Sequence, residues 1–492
     1  MKSYITQISV INKNSFDERD FSLSGKDYRK LKVSANSKPI SSLIQKSYQG
    51  KEIGSSSYMK RSKYRFLKTV NLTDNFGISE ESIEYCRPEN IAYPQLGDIL
   101  IAKDGGGDGL GESALYNLQN TDKTDSISAG VLGLRMNKES RYYLLGLIKS
   151  SHFKNFIDLN TPQGSTIRHS KKVSLNYPVP FPKDEKVQNL VSLITQNILD
   201  KEGQIKLKNK KIDELIEKEL KENQKENTFD YHLPRISEMK KQEFRIDSRI
   251  YERKLQQILF QIRNYKNGSN TINQLGFGIK RGQNLQITCV GESYYSTYRK
   301  SKLFYPLITS TNINFSRQIT SIRYIGNKNK LIKIKENDIM IAATGVNTGK
   351  VYVFPEIVLE SVSNINSFFL NSDNKLLAIF TGLFLSYLSK FDFCKLIGSK
   401  SNGGSILDKD VNDFIIPNFT ESKQKEIAKE YYNPTERNSD LNFQNYLEKE
   451  KVRNTKAGIF QLNMELFSLR EKLEDLIDKI VKEEKIDISF EY

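Results

Sequence analysis

The sequence predicts an α+β chain. Two tandem α/β domains are separated by long helices that pair as an antiparallel coiled coil, with approximate two-fold symmetry. Three observations predict it. Residues 184–227 hold no proline and place Val191, Ile194, Ile198, Ile205, Ile212 and Leu215 at spacings of three, four and seven, which is one stripe of a helix. Near the C-terminus, Ile459, Leu462, Leu466, Leu469, Leu473, Leu476 and Ile480 alternate steps of 3 and 4, a heptad seam. Finally, the strand-like and loop-like segments of the first half recur in the second half in the same order. The expected boundaries are 1–183 for the first domain, 184–227 for the central helix, 228–419 for the second domain and 420–492 for a C-terminal helical region.

Residues 1–32 are polar and carry no periodic signal. Residues 38–49 read as a short helix, and residues 60–72 interleave basic and aromatic side chains and end strand-like. Gly97-Asp98 makes a turn into a buried strand at 99–102, followed by a glycine loop at 105–111 and a strand at 126–136. An amphipathic helix is expected at 141–159, then a polar loop at 161–172. The long helix follows, about 60 Å at 1.5 Å per residue. Its stripe needs a partner, yet Lys201 and Lys208 fall on the seam. In the second half, 307–313 answers 67–72, 336–343 answers 96–103, and 344–350 answers the glycine loop. A strand at 365–370 and a helix at 375–394 come next, and 399–405 answers the loop holding Gly164. Asp338 lies 240 positions after Asp98, Gly404 lies 240 after Gly164, and Asn312 lies 241 after Asn71. One offset held across a whole domain argues for duplication. Asn433-Pro434 interrupts the C-terminal helical region, because proline cannot continue a helix, and a charged insertion follows at 438–458.

Composition narrows the function classes. The 492 residues carry Lys+Arg 75 against Asp+Glu 59, a net charge of +16, which favours a polyanionic partner and nucleic acid before membrane. No apolar run reaches the ~18 residues of a membrane span. Cys86, Cys289 and Cys394 are scattered, as expected for a reducing cytoplasm, and residues 1–16 lack a secretory pattern. His152, His169 and His232 show no metal-ligand spacing. The glycine loop does not fit a dinucleotide fingerprint, since Glu112 stands where the third glycine belongs. The segment 344–350 is similar to a phosphate loop, but Thr344 replaces its first glycine and Val351 its Ser/Thr. No nucleophile elbow occurs, and no pair of carboxylates stands out. The chain is expected to be no enzyme, and to bind neither metal nor cofactor.

The loops carry chemistry suited to nucleic acid. Gln163, Thr166, Arg168, His169, Lys171 and Lys172 mix phosphate binders with base-edge readers, and Lys400, Asn402 and Ser405 answer them in the second half. Lys103 and Lys350 sit at the ends of matching strands; Arg61, Lys63 and Arg65 add charge in the first half and Arg323 in the second. Each alone is an ordinary solvated side chain. The signal is the cluster appearing twice.

Taken together, Gly97-Asp98-Ile99-Leu100-Ile101 with its copy Asn337-Asp338-Ile339-Met340-Ile341, the Gly164-Ser165-Thr166 and Gly403-Gly404-Ser405 loops leading to Val179-Pro180 and Ile416-Pro417, and FRIDSRIY at 244–251 resemble the specificity subunits of type I restriction-modification systems. The counterpart of that last motif in the first half, FSLSGKDY at 21–28, matches it only loosely. The resemblance implies two target recognition domains, each reading one half of a split double-stranded DNA site, and paired helices that set the spacer. It implies docking of methyltransferase subunits, two of them, which would bind S-adenosylmethionine and flip the target adenine. It further implies a restriction and translocation subunit, and hence a part in DNA methylation and phage defence. Two other classes compete. A coiled-coil adaptor would show no salt-dependent DNA affinity, and a cryptic nuclease would cleave DNA unaided.

Overall fold

The computed structural model describes residues 5–7, 29–73, 75–81, 83–88, 92–106, 109–118, 122–162, 164–241, 248–398 and 405–492. The chain forms two compact units. The first comprises Met1–Gly203, Arg437–Thr455 and Glu465–Tyr492, and the second Gln204–Glu436 and Lys456–Met464. The motif at 21–28 and the first half of FRIDSRIY lie outside the described residues.

In the first unit, strands β1 (Lys46–Gln49), β2 (Tyr58–Met59), β3 (Tyr64–Leu67), β4 (Glu84–Cys86), β5 (Ile99–Ala102), β6 (Ser113–Leu115), β7 (Thr124–Ile127) and β8 (Val131–Arg135) build two sheets. Their orders are β6-β5-β8-β1 and β7-β3-β4-β2. In the second unit, β9 (Gly278–Arg281), β10 (Ser293–Ser296), β11 (Phe304–Leu307), β12 (Arg323–Asn327), β13 (Asp338–Ala342), β14 (Val351–Phe354) and β15 (Ser367–Asn371) build sheets ordered β14-β13-β15-β9 and β11-β12-β10. The first sheets correspond strand for strand, and Leu134 opposite Ile99 answers Leu370 opposite Ile339; the second sheets share the order β3-β4-β2 and β11-β12-β10, while β7 has no counterpart. The central strands β5 and β13 are buried along their whole length, which is why they read as unbroken apolar runs. The segment read as a helix at 38–49 is instead a single 3-10 turn at Ile40–Ser42 followed by β1. Lys46–Gln49 pairs with β8 along one edge, and this ladder overrides local propensity.

The repeated aspartates explain the repeated turns. Gly97 and Asn337 both take positive φ, +90° and +62°, a conformation glycine and asparagine tolerate. Asp98 then accepts bonds from the Gln95 N–H at 2.9 Å, the Tyr48 hydroxyl at 2.5 Å and Arg135 at 2.8 Å. Asp338 accepts from the Lys335 N–H at 2.8 Å, Lys280 at 3.1 Å and Asn371 at 2.8 Å. Tyr48 and Lys280 occupy the same register position on β1 and β9, and Arg135 and Asn371 the same position on β8 and β15. The cation that neutralises the buried carboxylate has changed strands while the arrangement is kept.

The helix expected at 141–159 is two helices, α1 (Arg141–Ile148) and α2 (Ser151–Asn160). Ser150 divides them: its hydroxyl accepts the Phe153 N–H and donates to the Leu147 carbonyl, capping one helix as the other ends. Helix α3 (Glu185–Glu222) is unbroken, and the division between the units falls within it. It stops five residues short of 227, because Asn223 and Lys225 pair with the backbone of residues 264–266 instead. Val191, Ile194 and Ile198 are buried in the first unit, and Ile205 and Ile212 in the second. Leu215 is only half-buried; the stripe passes to Ile216 and Leu220. That drift is expected of a helix with 3.6 residues per turn. Each unit fixes a loop to its part of α3. In the first, the Glu202 carboxylate accepts the N–H groups of Phe76 and Gly77 at 3.0 Å and pairs with Arg470 at 2.9 Å. In the second, buried Arg317 donates to Asn209 at 2.7 Å and Asp213 at 2.8 Å.

In the second unit α4 (Lys375–Ser389) lies almost wholly buried against β14, with α5 (Phe393–Ile397) after it. Among the described residues no helix is long and apolar enough to cross a membrane. Helix α6 (Glu421–Tyr431) runs antiparallel to the second-unit part of α3, with Glu430 3.2 Å from Lys208 and Lys423 3.9 Å from Glu219. The charged insertion folds as α7 (Tyr446–Lys456), and α8 (Ile459–Lys482) follows with Leu462, Leu466, Leu469, Leu473, Leu476 and Ile480 all buried. In the first unit, Gly146 of α1 lies so close to α3 that a Cβ there would stand 2.7 Å from the Thr195 hydroxyl.

Lys201, fully buried, is the polar centre of the first unit. Its Nζ lies 2.6 Å from Glu465, 2.7 Å from Asn454 and 3.4 Å from Glu450. Arg453 grips Glu465 through both Nη atoms, and Asn197 and the Tyr492 hydroxyl donate to Glu450 at 3.1 and 2.7 Å. Burial alone would raise both carboxyls; Lys201 and Arg453 leave them below the ordinary range.

Lys201→Met strands an uncompensated negative charge and should cost about 3–5 kcal/mol. Lys201→Met with Glu450→Gln restores neutrality and should recover part of that loss. Urea midpoints of the two variants, compared with the parent chain, check the order. A second expectation concerns acid. Burial depresses His152, whose Nδ1 faces the Tyr177 hydroxyl and whose Nε2 faces the Lys32 carbonyl, both at 2.8 Å. Its folded pKa lies below its unfolded value of about 6.5, so stability is full above that pH and falls as pH drops. Between pH 7 and 5 the parent chain should lose more thermal stability than the His152→Gln variant.

Candidate nucleic-acid interface

In the first unit the glycine loop and the polar loop are stitched together. Arg168–His169 pairs antiparallel with Asp104–Gly105, and the Ser170 N–H donates to the Lys103 carbonyl at 2.7 Å. The second unit repeats the stitch, with the Ile406 N–H donating to the Ala343 carbonyl at 3.0 Å. Gly111 and Gly349 each donate to the carbonyl ending the central strand, Ala102 and Ala342, both at 2.9 Å. Each pair of loops is therefore carried on the edge of a rigid sheet.

The basic residues on these loops have unequal standing. Arg65 is a correction: it is 2% exposed and clamped by Asp125 at 2.5 and 2.6 Å, with Glu80 at 3.2 Å. A guanidinium held under the sheet cannot reach a duplex. Arg168 is turned inward as well. It donates to the Asp158 carboxylate at 2.5 Å and to the carbonyls of Asp158, Thr161 and Pro162 at 2.8, 3.0 and 3.2 Å. Those carbonyls lie at the end of α2, where orphan acceptors need donors, so Arg168 holds the loop in shape. Thr166, His169, Lys171 and Lys172 are exposed. His169 lies 2.9 Å from Asp104, and Lys171 takes a φ of +51° that projects the loop tip. Lys103 is half-buried, 3.8 Å from Asp104. Lys350 is half-buried over the Phe315 ring at 5.6 Å. Its counterpart in the first unit is Glu112 rather than Lys103, since each carbonyl accepts the N–H of the alanine ending the central strand. Arg61, Lys63 and Arg323 are exposed, and Ser405 is half-buried. Gln163, Lys400 and Asn402 lie outside the described residues.

Glu112 itself is buried. Burial alone would raise its carboxyl, but Lys149 and Lys154 beside it leave it below the ordinary range. Lys149 also donates to the carbonyls of Asn75 and Ser113 at 2.7 and 2.8 Å, so this group is spent on structure. Among the described residues no cluster of His, Cys, Asp and Glu could hold a metal ion. Sequence reasoning overlooked Arg317, because nothing in one sequence marks a buried arginine except its acidic partners, which stand 104 positions away in the case of Asp213.

The two kinds of arginine and lysine should separate on substitution. Arg65→Gln leaves Asp125 buried without its cation and should cost about 3–5 kcal/mol in a denaturation midpoint. Lys171→Ala with Lys172→Ala should move it by less than about 0.5 kcal/mol.

No protein-family model and no curated protein sequence matches the chain. Solved structures similar to it at low identity include the following three. The S subunit of a type I restriction-modification system from M. genitalium is 14% identical, with 93% of this chain and 97% of that chain covered and a TM-score of 0.41. A structure describing complex assembly and conformational transition of the type I restriction-modification system is 13% identical, covering 92% and 98%, with a TM-score of 0.28. The HsdS subunit from Thermoanaerobacter tengcongensis is 14% identical, covering 92% and 97%, with a TM-score of 0.27.

Proposed function

We propose that the chain is the DNA sequence-specificity subunit of a type I restriction-modification complex. Each unit reads one half of a split double-stranded site. The observation that carries this reading is the duplication. The same four-stranded sheet beside a shared three-strand core of a second sheet, with the same buried aspartate and loop stitch, occurs twice in one chain of net charge +16, with an unbroken helix between the two in sequence. A chain reading a single continuous site has no need of two such frames. The motifs quoted above, which resemble specificity subunits across nearly the whole chain, support it.

On this reading the exposed residues Thr166, His169, Lys171 and Lys172 face the first half-site, and the loop closed by Ser405 faces the second. Arg168 positions the first loop without touching a base. Helix α3 with α7 and α8 sets the spacer and offers the surface for two methyltransferase subunits and, with them, a restriction and translocation subunit. The chemistry belongs to those partners, and S-adenosylmethionine would be held there. The work of this chain is to bind and orient DNA, in the cytoplasm.

The test is methylation mapping. Express the chain with a cognate methyltransferase and sequence the host DNA for modified adenines. Two short specified blocks around a fixed gap are the expected result. DNA left unmodified, by a complex that also fails to prefer any duplex, would overturn the proposal.

A further inference from the structure

The second sheet of each unit shares an unusual crossover. Strands β2 and β3 both pair antiparallel with β4, so they run parallel to one another with β4 between them. Tyr58 and Tyr64 both stand opposite Cys86. The chain must therefore return across β4 within residues 60–63. In the second unit β10 and β11 flank β12 in the same way, and residues 297–303 make the return. The return is short, four residues in the first unit and seven in the second.

Both straps are basic. The first reads Lys60-Arg61-Ser62-Lys63 and the second Arg299-Lys300-Ser301-Lys302, and neither contains an acidic residue. They fall in register: Tyr58 and Tyr298, Lys60 and Lys300, Tyr64 and Phe304, Leu67 and Leu307 are each 240 positions apart, the offset already held by Asp98 and Asp338. All six cations are exposed, and among the described residues none forms an ion pair. Lys68, just beyond the first strap, shows the contrast, being paired with Glu84 at 2.7 Å. Glu360, the carboxylate whose charge Arg299 influences, is itself paired with Lys333 at 2.8 Å. The strap bases are anchored. Arg65 is locked to Asp125, and Tyr58 meets Phe66 edge-on at 6.1 Å. In the second unit the Phe304 ring lies over Gly326, where a Cβ would stand 2.6 Å from it. Apolar tips accompany the charges, with Met59 45%, Tyr298 50% and Leu303 58% exposed.

We propose that these two straps are the phosphate clamps of the two units, gripping the backbone of duplex DNA and fixing each unit's register on it. Three exposed cations within four residues suit a polyanion, and two of the three in each strap are lysines, which are point donors rather than bidentate forks. The inference rests on the DNA-reading proposal and assigns which side chains supply its sequence-independent part.

The experiment uses the full chain in complex with its methyltransferase. Two duplexes of equal length, one carrying the methylated motif and one lacking it, are titrated by fluorescence anisotropy across a salt series. The variants are K60Q/R61Q/K63Q and R299Q/K300Q/K302Q, with Arg61→Lys as a charge-conserving control. Each triple variant should lower the slope of log affinity against log salt by about 2–3, near 0.9 per lost phosphate contact, while the control keeps it. Both duplexes should weaken by similar factors, and the methylated motif should not change. Melting midpoints equal to the parent chain's establish that the fold is intact. If a triple variant proves unfolded, the single substitutions Arg61→Gln and Lys300→Gln carry the test, each expected to lower the slope by about 0.9. An unchanged slope, an effect at one strap only, or an altered motif would overturn the assignment. A parent complex that prefers neither duplex would instead overturn the DNA-reading proposal itself.

Discussion

A lysine buried without water must be met by carboxylates, and much of the first unit is arranged to meet Lys201. The cost of desolvating one ammonium group is several kcal/mol, more than any single apolar contact on the helix returns. The solution brings Glu450 and Asn454 from the charged insertion and Glu465 from the terminal heptad helix to one point, with Arg453 balancing the second carboxylate. Two cations and two anions then share a closed network, capped by the Tyr446 and Tyr492 rings and hydroxyls. An apolar residue at Lys201 could slide along a heptad seam; a lysine with these partners cannot. The network therefore fixes register as well as neutralising charge, which is the best-attested use of a buried polar group on a helical seam. Lys208 faces the same requirement in the second unit and meets it with Glu430.

The duplicated frame works by the same logic on a smaller scale. Asp98 and Asp338 stand at the start of the central strand, where the buried carboxylate ties down the turn before it. Because the neutralising cation comes from β8 in one unit and β9 in the other, the two halves have exchanged residues without altering the arrangement. What is preserved is the requirement for charge balance at a buried point. Asn71 and Asn312 close their turns alike, accepting the N–H of residues 68 and 309 at 2.8 Å. Asp98, Asp338, Asn71 and Asn312 keep the offset of the duplication, and each of the four is spent on structure.

That separation bears on function. Side chains spent on the frame (Arg65, Arg168, Lys149, Arg317) are unavailable to a ligand, however basic they look in the sequence. Once they are set aside, the exposed positive charge includes the two short crossovers, Arg323 on β12 and the loop tip at Lys171 and Lys172. A reader of DNA needs both kinds of group: phosphate contacts that place it and a separate edge that discriminates bases. On the proposed reading the two straps supply the first kind.

The sequence by itself determined the elements whose signals are local or periodic. Helix α3 and the heptad of α8 were legible because a 3.6-residue stripe repeats within the chain, and the duplication because one offset survives over 240 positions. The net positive charge was equally plain. Tertiary structure alone decided which charges are buried. Arg65 and Arg61 are four residues apart in one basic run, yet one is clamped to Asp125 and the other is exposed, because the strand that begins at Tyr64 is buried from Arg65 onward while the cations of the crossover before it lie at the surface. The partners of Lys201 come from more than 240 positions away, and no local pattern announces a contact that only the closed fold brings within 3 Å.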